Sequence, residues 1–329
     1  MPVEPKLTVA VTGPTGEIGR SFLRALDRHR AVGRILGMAR RPFDPAAVGL
    51  RKTEYRQGDV LDRAAVDALA ADADVLVHLA FIIMGGRDET RRVNLAGSRN
   101  VFAAAAAAPR VRRLVYTSSV AAYGFHADNP QPLTEDVSPR GTEGFYYSAQ
   151  KAELELALEE ELAGSGVEAY VLRPCIVAGA DAPMLMRQLP RARVPGPLKR
   201  AVPPVLPDPG IPFQLVHHDD VASALVAAVR GAGEPGPYNL AGEGAITLGD
   251  VARALGWRAI PVPGPLVDLA ALGAELPLVP SLAQWINAGR VPVVMDTRRA
   301  RRLLRWRPRH DTRGTLLETA AAARAAGIV

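Results

Sequence analysis

Short apolar runs alternate along the chain with longer stretches in which apolar residues recur at helical spacing. Residues 7–12, LTVAVT, are rich in β-branched side chains and end at a glycine, which is typical of a buried strand. Ile18, Phe22, Leu23 and Leu26 then fall on one side of a helix. Further strands are predicted at 35–39, near Tyr55, and at 75–79, 114–117 and 168–172, and further helices at 64–69, 94–108 and 147–162. This order predicts parallel strands with crossover helices on both faces of one sheet.

The pattern changes in the second half of the chain, where prolines interrupt the regular spacing. Residues 179–212 contain nine prolines, and we interpret this segment as a surface-lying cover for a pocket. A strand at 213–216 and a helix that ends at Val229 return to the earlier pattern. A second proline-rich stretch, 261–280, precedes an arginine-rich segment, 298–309, which is predicted to be helical.

The composition restricts the class of protein. With 329 residues, of which 48% are apolar and 22% charged, the chain can bury one large core or two unequal ones. The net charge is +6, but 36 of the 40 basic residues are arginines scattered through most of the chain, which favours solvated surfaces over a nucleic-acid site. No apolar stretch approaches the roughly 18 residues that span a bilayer. The start, MPVEPKLTVAV, lacks the features of a signal peptide, so we expect a cytoplasmic protein.

Three glycines mark the junction between the first predicted strand and the first predicted helix. Gly13, Gly16 and Gly19 lie in TGPTGEIG. Glycines at this spacing let the backbone turn tightly and approach a pyrophosphate at the helix N-terminus. Because a strand precedes the motif and a helix follows it, the pattern predicts a dinucleotide site.

The end of the next predicted strand bears on the choice of cofactor. An NAD site would place an acidic residue there, on the ribose 2′-hydroxyl, whereas this chain has Arg40 and Arg41. An arginine would pair with a 2′-phosphate, which favours NADP(H) and leaves NAD(H) as the alternative, unless the two arginines only solvate a loop. Asp59 and Val60 follow the third strand and would border the adenine; equally, Asp59 would cap the next turn.

A Tyr-x-x-x-Lys pattern supplies candidate acid–base chemistry. Tyr147 and Lys151 lie one turn apart on a predicted helix, on the same face. An ammonium so close is expected to lower the pKa of the phenol, which would let Tyr147 exchange a proton with a substrate oxygen. Ser119, or its neighbour Ser118, ends the fifth strand where a hydroxyl would bond the same oxygen.

Together these motifs resemble the extended short-chain dehydrogenase/reductase family, the NAD(P)-dependent epimerase/dehydratase group. The resemblance is carried by TGPTGEIG, GDVLD (58–62), VHLA (77–80), NLAGSRNV (94–101), YTSSVAAYG (116–124), Tyr147 with Lys151, LRPCIVAG (172–179), QLVHHDDVASAL (214–225), YNLAG (238–242) and MDTRRARRLLRWRP (295–308). It implies an α/β fold, a Rossmann-type doubly wound parallel sheet with a smaller, Pro-rich C-terminal substrate-binding region.

The resemblance also implies an organisation of the chain. The dinucleotide-binding domain would comprise residues 1–178, joined by 213–242, and the substrate-binding region would comprise 179–212 and 243–329. A homodimer through the predicted helices at 94–108 and 147–162 is a further family expectation.

The family pattern implies a role for each motif residue. Tyr147 would be the catalytic acid/base, Lys151 would tune it and bind the nicotinamide ribose, and Ser119, placed by Tyr123 of AAYG, would position the substrate oxygen. The cofactor-binding residues implied are Gly13, Gly16, Glu17, Ile18, Gly19, Arg40, Arg41, Asp59, Val60, Leu79, Ala80, Phe81, Asn94, Tyr147, Lys151, Pro174 and Ile176. Phe81 departs from the pattern, since a small residue is usual there, and its ring would narrow the site beside the nicotinamide.

Three functions are consistent with these residues. The leading hypothesis is NADP(H)-dependent reduction of a ketone or aldehyde, or the reverse oxidation of an alcohol. The alternative is a nucleotide-sugar epimerase or dehydratase with retained NAD, whose diphosphate the arginines would clamp, namely Arg187, Arg191, Arg193, Arg200 and Arg290. The third is a cofactor-sensing protein without turnover, against which the intact Ser119, Tyr147 and Lys151 argue. We expect a small-molecule partner, with neither nucleic acid nor a membrane.

Two further features favour structural roles. His217, His218, Asp219 and Asp220 resemble a metal cluster in composition, but adjacent residues on a strand point to opposite faces, so we expect no metal and interpret an Asp as a helix N-cap. Cys175, the single cysteine, excludes an internal disulfide and is interpreted as a small buried hydrophobe.

Overall fold

A computed structural model of the chain describes residues 5–85, 87–189, 192, 203–266 and 291–329. The strands are β1 (Leu7–Thr12), β2 (Val32–Ala39), β3 (Thr53–Gln57), β4 (Val75–His78), β5 (Arg113–Thr117), β6 (Glu168–Pro174), β7 (Ile176–Ala178), β8 (Val205–Asp208), β9 (Leu215–His217), β10 (Gly236–Leu240) and β11 (Arg258–Pro261). The α-helices are α1 (Glu17–Arg28), α2 (Arg63–Ala70), α3 (Arg87–Arg91), α4 (Gly97–Ala107), α5 (Tyr146–Leu162), α6 (Met184–Gln188), α7 (His218–Val229), α8 (Leu248–Leu255), α9 (Arg298–Leu303) and α10 (Thr312–Ala325).

Seven strands form one parallel sheet in the order β10-β6-β5-β4-β1-β2-β3. The order reverses between β1 and β4, since the chain builds outward from β1 to β3 and then crosses over to β4 on the other side. In open parallel sheets a ligand binds at this switch point, beyond the carboxyl ends of the strands. The doubly wound α/β fold predicted from the sequence is therefore confirmed. Two pairs of short parallel strands, β8 with β11 and β7 with β9, lie outside this sheet.

The alternation of side chains along the strands divides the core into two layers. Val9 and Val11 of β1 join one apolar cluster, which includes residues of α1 and α7, whereas Ala10 joins a second cluster with residues of α2, α4 and α5. β4 repeats the pattern, with Val75 and Val77 in the first cluster and Leu76 in the second. Helices therefore cover both faces of the sheet.

His78 fixes the end of β4 against its neighbours. Its two ring nitrogens are hydrogen-bonded to Thr12 Oγ1 at 2.7 Å and to Ser98 Oγ at 2.8 Å, and its ring stacks on Tyr116. Burial lowers the pKa of His78 to about 3, so the imidazole is neutral at physiological pH. The switch point is thereby joined to β1, α4 and β5 by uncharged contacts.

The second half of the chain departs from the sequence prediction at the arginine-rich segment and at several elements that were not predicted. The arginine-rich helix ends at Leu303 instead of continuing to residue 309, because Arg305 adopts a φ of 54° and Trp306 turns inward to donate its indole N–H to Asp220 O at 2.9 Å. Strand β10 and helix α10 were not predicted, although both are regular elements. Much of the proline-rich stretch 261–280 lies outside the described residues. Among the helices that the structure describes, none is both long and apolar enough to cross a membrane.

Candidate active site

The glycine motif forms a tight turn at the switch point. Gly13 follows β1 with a φ of 74°, and a Cβ there would lie 2.6 Å from the Ala80 nitrogen, so only glycine lets the two loops meet. A Cβ at Gly19 would lie 2.5 Å from the Gly13 oxygen, whereas at Gly16 it would contact only that oxygen, at 3.5 Å. Gly16 thus borders open space at the start of α1, where no side chain supplies a cap. This loop fits a pyrophosphate.

Glu17 and Ile18 continue from the loop into α1. Ile18 packs against the core cluster of α1 and α7. Burial raises the pKa of Glu17, while Arg187, Arg20 and a hydrogen bond from the Met184 backbone lower it. The Glu17 side chain therefore faces α6, so the glycine loop contacts the segment that was predicted to cover a pocket.

Arg40 and Arg41 are exposed at the carboxyl end of β2. Their carbonyl oxygens accept hydrogen bonds from Gln57 Nε2, at 2.8 Å, and from the Tyr55 hydroxyl, so the backbone of the turn is held in place. Neither guanidinium forms an ion pair with any residue that the structure describes. The two cations are available to an anionic group beyond β2.

Asp59 and Val60 lie just beyond β3. Asp59 Oδ1 accepts a hydrogen bond from the Leu61 N–H at 3.0 Å, so Asp59 caps the turn that follows β3. Val60 is buried, and its side chain is so close to Gly97 that a Cβ there would lie 2.5 Å from Val60 Cγ2. Both residues shape the turn beside β2.

Asn94 is fully buried, and its amide contacts only protein. Its Oδ1 accepts from the Ile82 N–H at 2.8 Å, and its Nδ2 donates to the Ile82 oxygen at 2.9 Å and to Gln150 Oε1 at 2.8 Å. Asn94 lies in a single π-helical turn, Arg92–Ala96, a distortion that is frequent at functional sites. Through these bonds Asn94 holds the backbone of Ile82, which directly follows Leu79, Ala80 and Phe81 in the chain.

Tyr147 and Ser119 are in contact at the carboxyl end of β5. Both side chains are buried, and their hydroxyls are hydrogen-bonded. Ser119 Oγ also accepts a hydrogen bond from the Ala121 N–H at 3.1 Å, which fixes the position of the serine hydroxyl. Ser118 instead donates to Glu155 Oε1 at 2.5 Å. The structure thus brings Ser119, and not Ser118, to the phenol.

The pKa of Tyr147 differs from the expectation. Burial raises the pKa of the phenol to about 12, the hydrogen bond with Ser119 lowers it, and Tyr146 raises it. Lys151 makes no such contribution, so the expected lowering by its ammonium is wrong for this structure. Burial outweighs every nearby charge here, and Tyr147 is a protonated acid at neutral pH.

Lys151 is buried on the same helix, one turn after Tyr147. Its Nζ donates to the Thr117 oxygen at 3.0 Å and to the Tyr116 hydroxyl at 3.5 Å, and it lies 3.8 Å from the centroid of the Phe81 ring. Burial lowers the pKa of Lys151 to about 7, although the charge of Glu155 raises it.

A buried ion pair behind the site was not predicted. Glu155 and Arg173 are 5% and 4% exposed, and Arg173 donates to both Glu155 oxygens at 2.5–3.1 Å. Two signals in the sequence point to it: Glu155 is one turn beyond Lys151, and Arg173 interrupts the apolar strand β6. Next to it, Pro174 pairs with Leu240 of β10 at the end of β6, and Ile176 in β7 pairs with Leu215.

Three histidines stack away from this site, contrary to the expected orientation. His217 ends β9 and His218 starts α7, so the pair does not lie on one strand, and the rings are 4.1 Å apart. His310 stacks on His217 at 3.8 Å. The expected Asp N-cap is also wrong, because His217 Nδ1 accepts from the Asp219 N–H.

His217, His310 and Glu318 place one possible metal ligand each within 4.8 Å of the others. However, the His217 and His310 rings are stacked and inclined by only 24°, so their nitrogen lone pairs lie in nearly parallel planes, which is unfavourable for tetrahedral binding of one ion. Because His217 Nδ1 is an acceptor, its Nε2 carries the proton that it shares with Glu318. The absence of a bound metal stays a prediction. Cys175 is buried, which raises the pKa of its thiol and disfavours nucleophilic chemistry.

Of the five arginines predicted to clamp a diphosphate, Arg187 is described and exposed on α6. The other four, Arg191, Arg193, Arg200 and Arg290, lie outside the described residues.

Known proteins resemble this chain in sequence and in fold. The NAD dependent epimerase/dehydratase family matches residues 9–241. An uncharacterized protein of Mycobacterium tuberculosis is 26% identical over 321 residues, which cover 94% of this chain and 82% of that protein. Sterol demethylase protein B of Methylococcus capsulatus is 32% identical over 183 residues, or 53% of this chain and 52% of that protein.

Among solved structures, the UDP-glucuronic acid 4-epimerase of Bacillus cereus in complex with NAD has a TM-score of 0.74 at 16% identity, covering 97% of this chain and 99% of that one. At that identity the likeness concerns the fold. The family match, in contrast, spans most of the chain and includes the glycine loop and the Tyr147 helix. The chain belongs to the NAD-dependent epimerase/dehydratase family, in the extended group of the short-chain dehydrogenases/reductases.

Proposed function

We propose that this protein is an NAD(P)-dependent oxidoreductase that reduces a ketone or aldehyde, or runs the reverse alcohol oxidation, with Tyr147 as the acid/base. One chain of contacts carries the proposal. Gly13 of the nucleotide loop contacts Ala80, and the ring of the next residue, Phe81, lies 5.6 Å from that of Tyr147. A proton donor therefore stands beside the crevice that the glycine loop opens.

The protonation state of Tyr147 suits the reductive direction. A phenol whose pKa is about 12 keeps its proton at neutral pH and can give it to an oxygen that gains negative charge. Ser119 would donate a second hydrogen bond to the same oxygen and so orient the carbonyl. A bound nicotinamide would supply the hydride to the carbonyl carbon, or accept it in the reverse direction. Lys151 would hold the nicotinamide ribose.

NADP(H) is the cofactor that the end of β2 favours. Arg40 and Arg41 are exposed there, and neither guanidinium forms an ion pair with a described residue. A guanidinium binds a phosphate by charge-assisted hydrogen bonds, whereas a ribose 2′-hydroxyl calls for a carboxylate. NAD(H) is the alternative, supported by the NAD dependence in the family's description and by the NAD in the Bacillus cereus complex.

A nucleotide-sugar epimerase or dehydratase with retained NAD is the second candidate. The full-length likeness to the UDP-glucuronic acid 4-epimerase favours it, as does the family to which the chain belongs. Apolar side chains around Tyr147 favour the first candidate: Phe81, Ile83 and Phe125 pack on the cluster that contains Tyr146 and Tyr147. The similarity to sterol demethylase protein B agrees with an apolar substrate.

The acid/base assignment is tested with Tyr147→Phe. We expect turnover to fall about 10²- to 10⁴-fold, because the proton donor is lost, while cofactor affinity changes less than about twofold. NADPH and NADH oxidation with a panel of ketones and aldehydes gives the rate, and fluorescence titration gives the affinity. Retained turnover in Tyr147→Phe would refute the assignment, whereas a wild-type protein that binds the cofactor but turns over none of these substrates would favour a protein that only senses the cofactor.

Cofactor titration separates the two candidate functions. Wild-type protein should prefer NADPH to NADH, and Arg40→Ala should remove that preference, whereas Arg302→Ala, a charge-matched control on exposed α9, should not. NAD released from the purified protein on denaturation, with conversion of UDP-sugars, would instead establish the epimerase or dehydratase.

A further inference from the structure

The backbone around Phe81 is held on both sides. The preceding residue, Ala80, lies against Gly13, where a Cβ would come within 2.6 Å of the Ala80 nitrogen. The following residue, Ile82, has its N–H and its carbonyl oxygen both bonded to the Asn94 amide, at 2.8 and 2.9 Å. The direction in which the Phe81 side chain leaves the backbone is therefore fixed.

That direction brings the Phe81 ring onto both members of the Tyr-x-x-x-Lys pair. The ring lies 5.6 Å from the Tyr147 ring at 89°, an edge-to-face contact. The Lys151 ammonium lies 3.8 Å from the centroid of the Phe81 ring. This distance is well within the 6 Å of a cation–π contact.

Among the described residues, the Phe81 ring is the third group that lies against the Lys151 ammonium, beside two protein oxygens. Lys151 Nζ has three N–H donors; the Thr117 oxygen at 3.0 Å and the Tyr116 hydroxyl at 3.5 Å account for two. The side chain of Lys151 is 3% exposed, so the described residues leave it almost no contact with solvent. A ribose hydroxyl that binds this ammonium would therefore compete with the Phe81 ring for the third N–H.

We propose that the Phe81 ring covers Lys151 and must turn aside before the nicotinamide ribose can bind. This inference rests on the proposed function, in which Lys151 holds that ribose. The ring rotates about its own side-chain bonds, because the backbone on either side stays anchored to Gly13 and Asn94. Displaced from Lys151, it would border the substrate beside Tyr147.

Such a ring makes the cofactor exchangeable. The dinucleotide binds only the fraction of molecules in which Phe81 has moved, so the apparent affinity is lower than the intrinsic one by that fraction. The adenosine half of the cofactor would be held by the glycine loop and the end of β2, away from Phe81, and would bear no such cost. A dissociable cofactor is what net reduction requires, because each turnover must replace it.

The test compares whole and half cofactors on three proteins: wild type, Phe81→Ala and Phe81→Tyr. Calorimetric titration with NADPH, NADH and ADP measures each affinity. Phe81→Ala should bind the dinucleotides about 2- to 30-fold more tightly, the range of a lost cation–π contact, and should bind ADP unchanged. Phe81→Tyr keeps a ring over Lys151 and should match the wild type.

The outcomes separate this inference from the proposed function. If Phe81→Ala binds the dinucleotides less tightly while ADP binding is unchanged, the ring is a contact of the bound cofactor and the inference is wrong. Equal dinucleotide affinities in all three proteins would also overturn it and leave the oxidoreductase intact. Failure of all three proteins to bind any dinucleotide would instead overturn the proposed function, and the inference with it.

Discussion

Two buried cations lie on neighbouring elements, and the protein surrounds them in opposite ways. Arg173 on β6 is 4% exposed and is paired with a carboxylate, because Glu155 accepts hydrogen bonds from its Nε and Nη2. Lys151 on α5 is 3% exposed and contacts a carbonyl, a phenol hydroxyl and the Phe81 ring, and among the described residues no carboxylate is hydrogen-bonded to it. Burial disfavours the charge on both. At Arg173 the hydrogen bonds and charge of Glu155 outweigh the effect of burial, so the pKa is raised. At Lys151 burial dominates, and the pKa falls to about 7.

The difference separates a charge that supports the fold from one that the proposed function assigns to a ligand. A buried ion pair has its counter-charge within the protein, although Arg173 Nη1 is buried without a hydrogen-bond partner among the described residues. A buried ammonium without a carboxylate is under-solvated, and a ribose hydroxyl can relieve that state. The two are coupled, because the Glu155 charge also raises the pKa of Lys151.

The largest effect is expected when the Glu155–Arg173 ion pair is broken. Arg173→Met leaves the Glu155 carboxylate buried without its cation, which should reduce the free energy of unfolding by about 3–5 kcal/mol. Urea denaturation at pH 7 measures it. The double variant Arg173→Met, Glu155→Leu removes both charges and should be more stable than the single variant. A single variant as stable as the wild type would show that Glu155 does not depend on Arg173.

The next effect is a pH dependence at Lys151. Unfolded lysine has a pKa of 10.5, and the folded value is about 7, so between these values the unfolded chain binds the extra proton. Stability from this group therefore rises with pH, is complete above 10.5, and is lost as pH falls through 7. The free energy of unfolding of wild type minus that of Lys151→Met should increase by about 2 kcal/mol from pH 7 to pH 9. A constant difference would mean that Lys151 keeps its ordinary pKa.

Local patterns predicted the first half of the fold because each element there has its own periodicity. β1 matches its predicted residues, 7–12, and α5 begins one residue before its predicted start. β10, with the sequence GPYNL, is short and lacks an apolar run, so its place beside β6 depends on tertiary pairing. The end of α9 at Leu303 likewise depends on where Trp306 packs.

The motif residues of the site could be found by spacing, but their partners could not. His217 and His310 are 93 positions apart in sequence, and only the fold stacks them. The contact of Phe81 with Lys151 is also tertiary. The pKa of Tyr147 was predicted with the wrong sign because spacing reveals the neighbouring cation and does not reveal burial.

The smallest effects are expected at two adjacent serines, Ser118 and Ser119. Ser118 donates to Glu155 and so contacts the Glu155–Arg173 ion pair, whereas Ser119 is hydrogen-bonded to Tyr147. Ser118→Ala removes a hydrogen bond to a buried carboxylate and should cost about 1–2 kcal/mol of stability with little change in turnover. Ser119→Ala should instead lower turnover about tenfold or more. It should reduce the free energy of unfolding by less than about 1 kcal/mol, because Ser119 only caps the short turn Val120–Tyr123. If the two variants changed stability and turnover by similar amounts, the Glu155–Arg173 pair and the Lys151 site would not have separate roles.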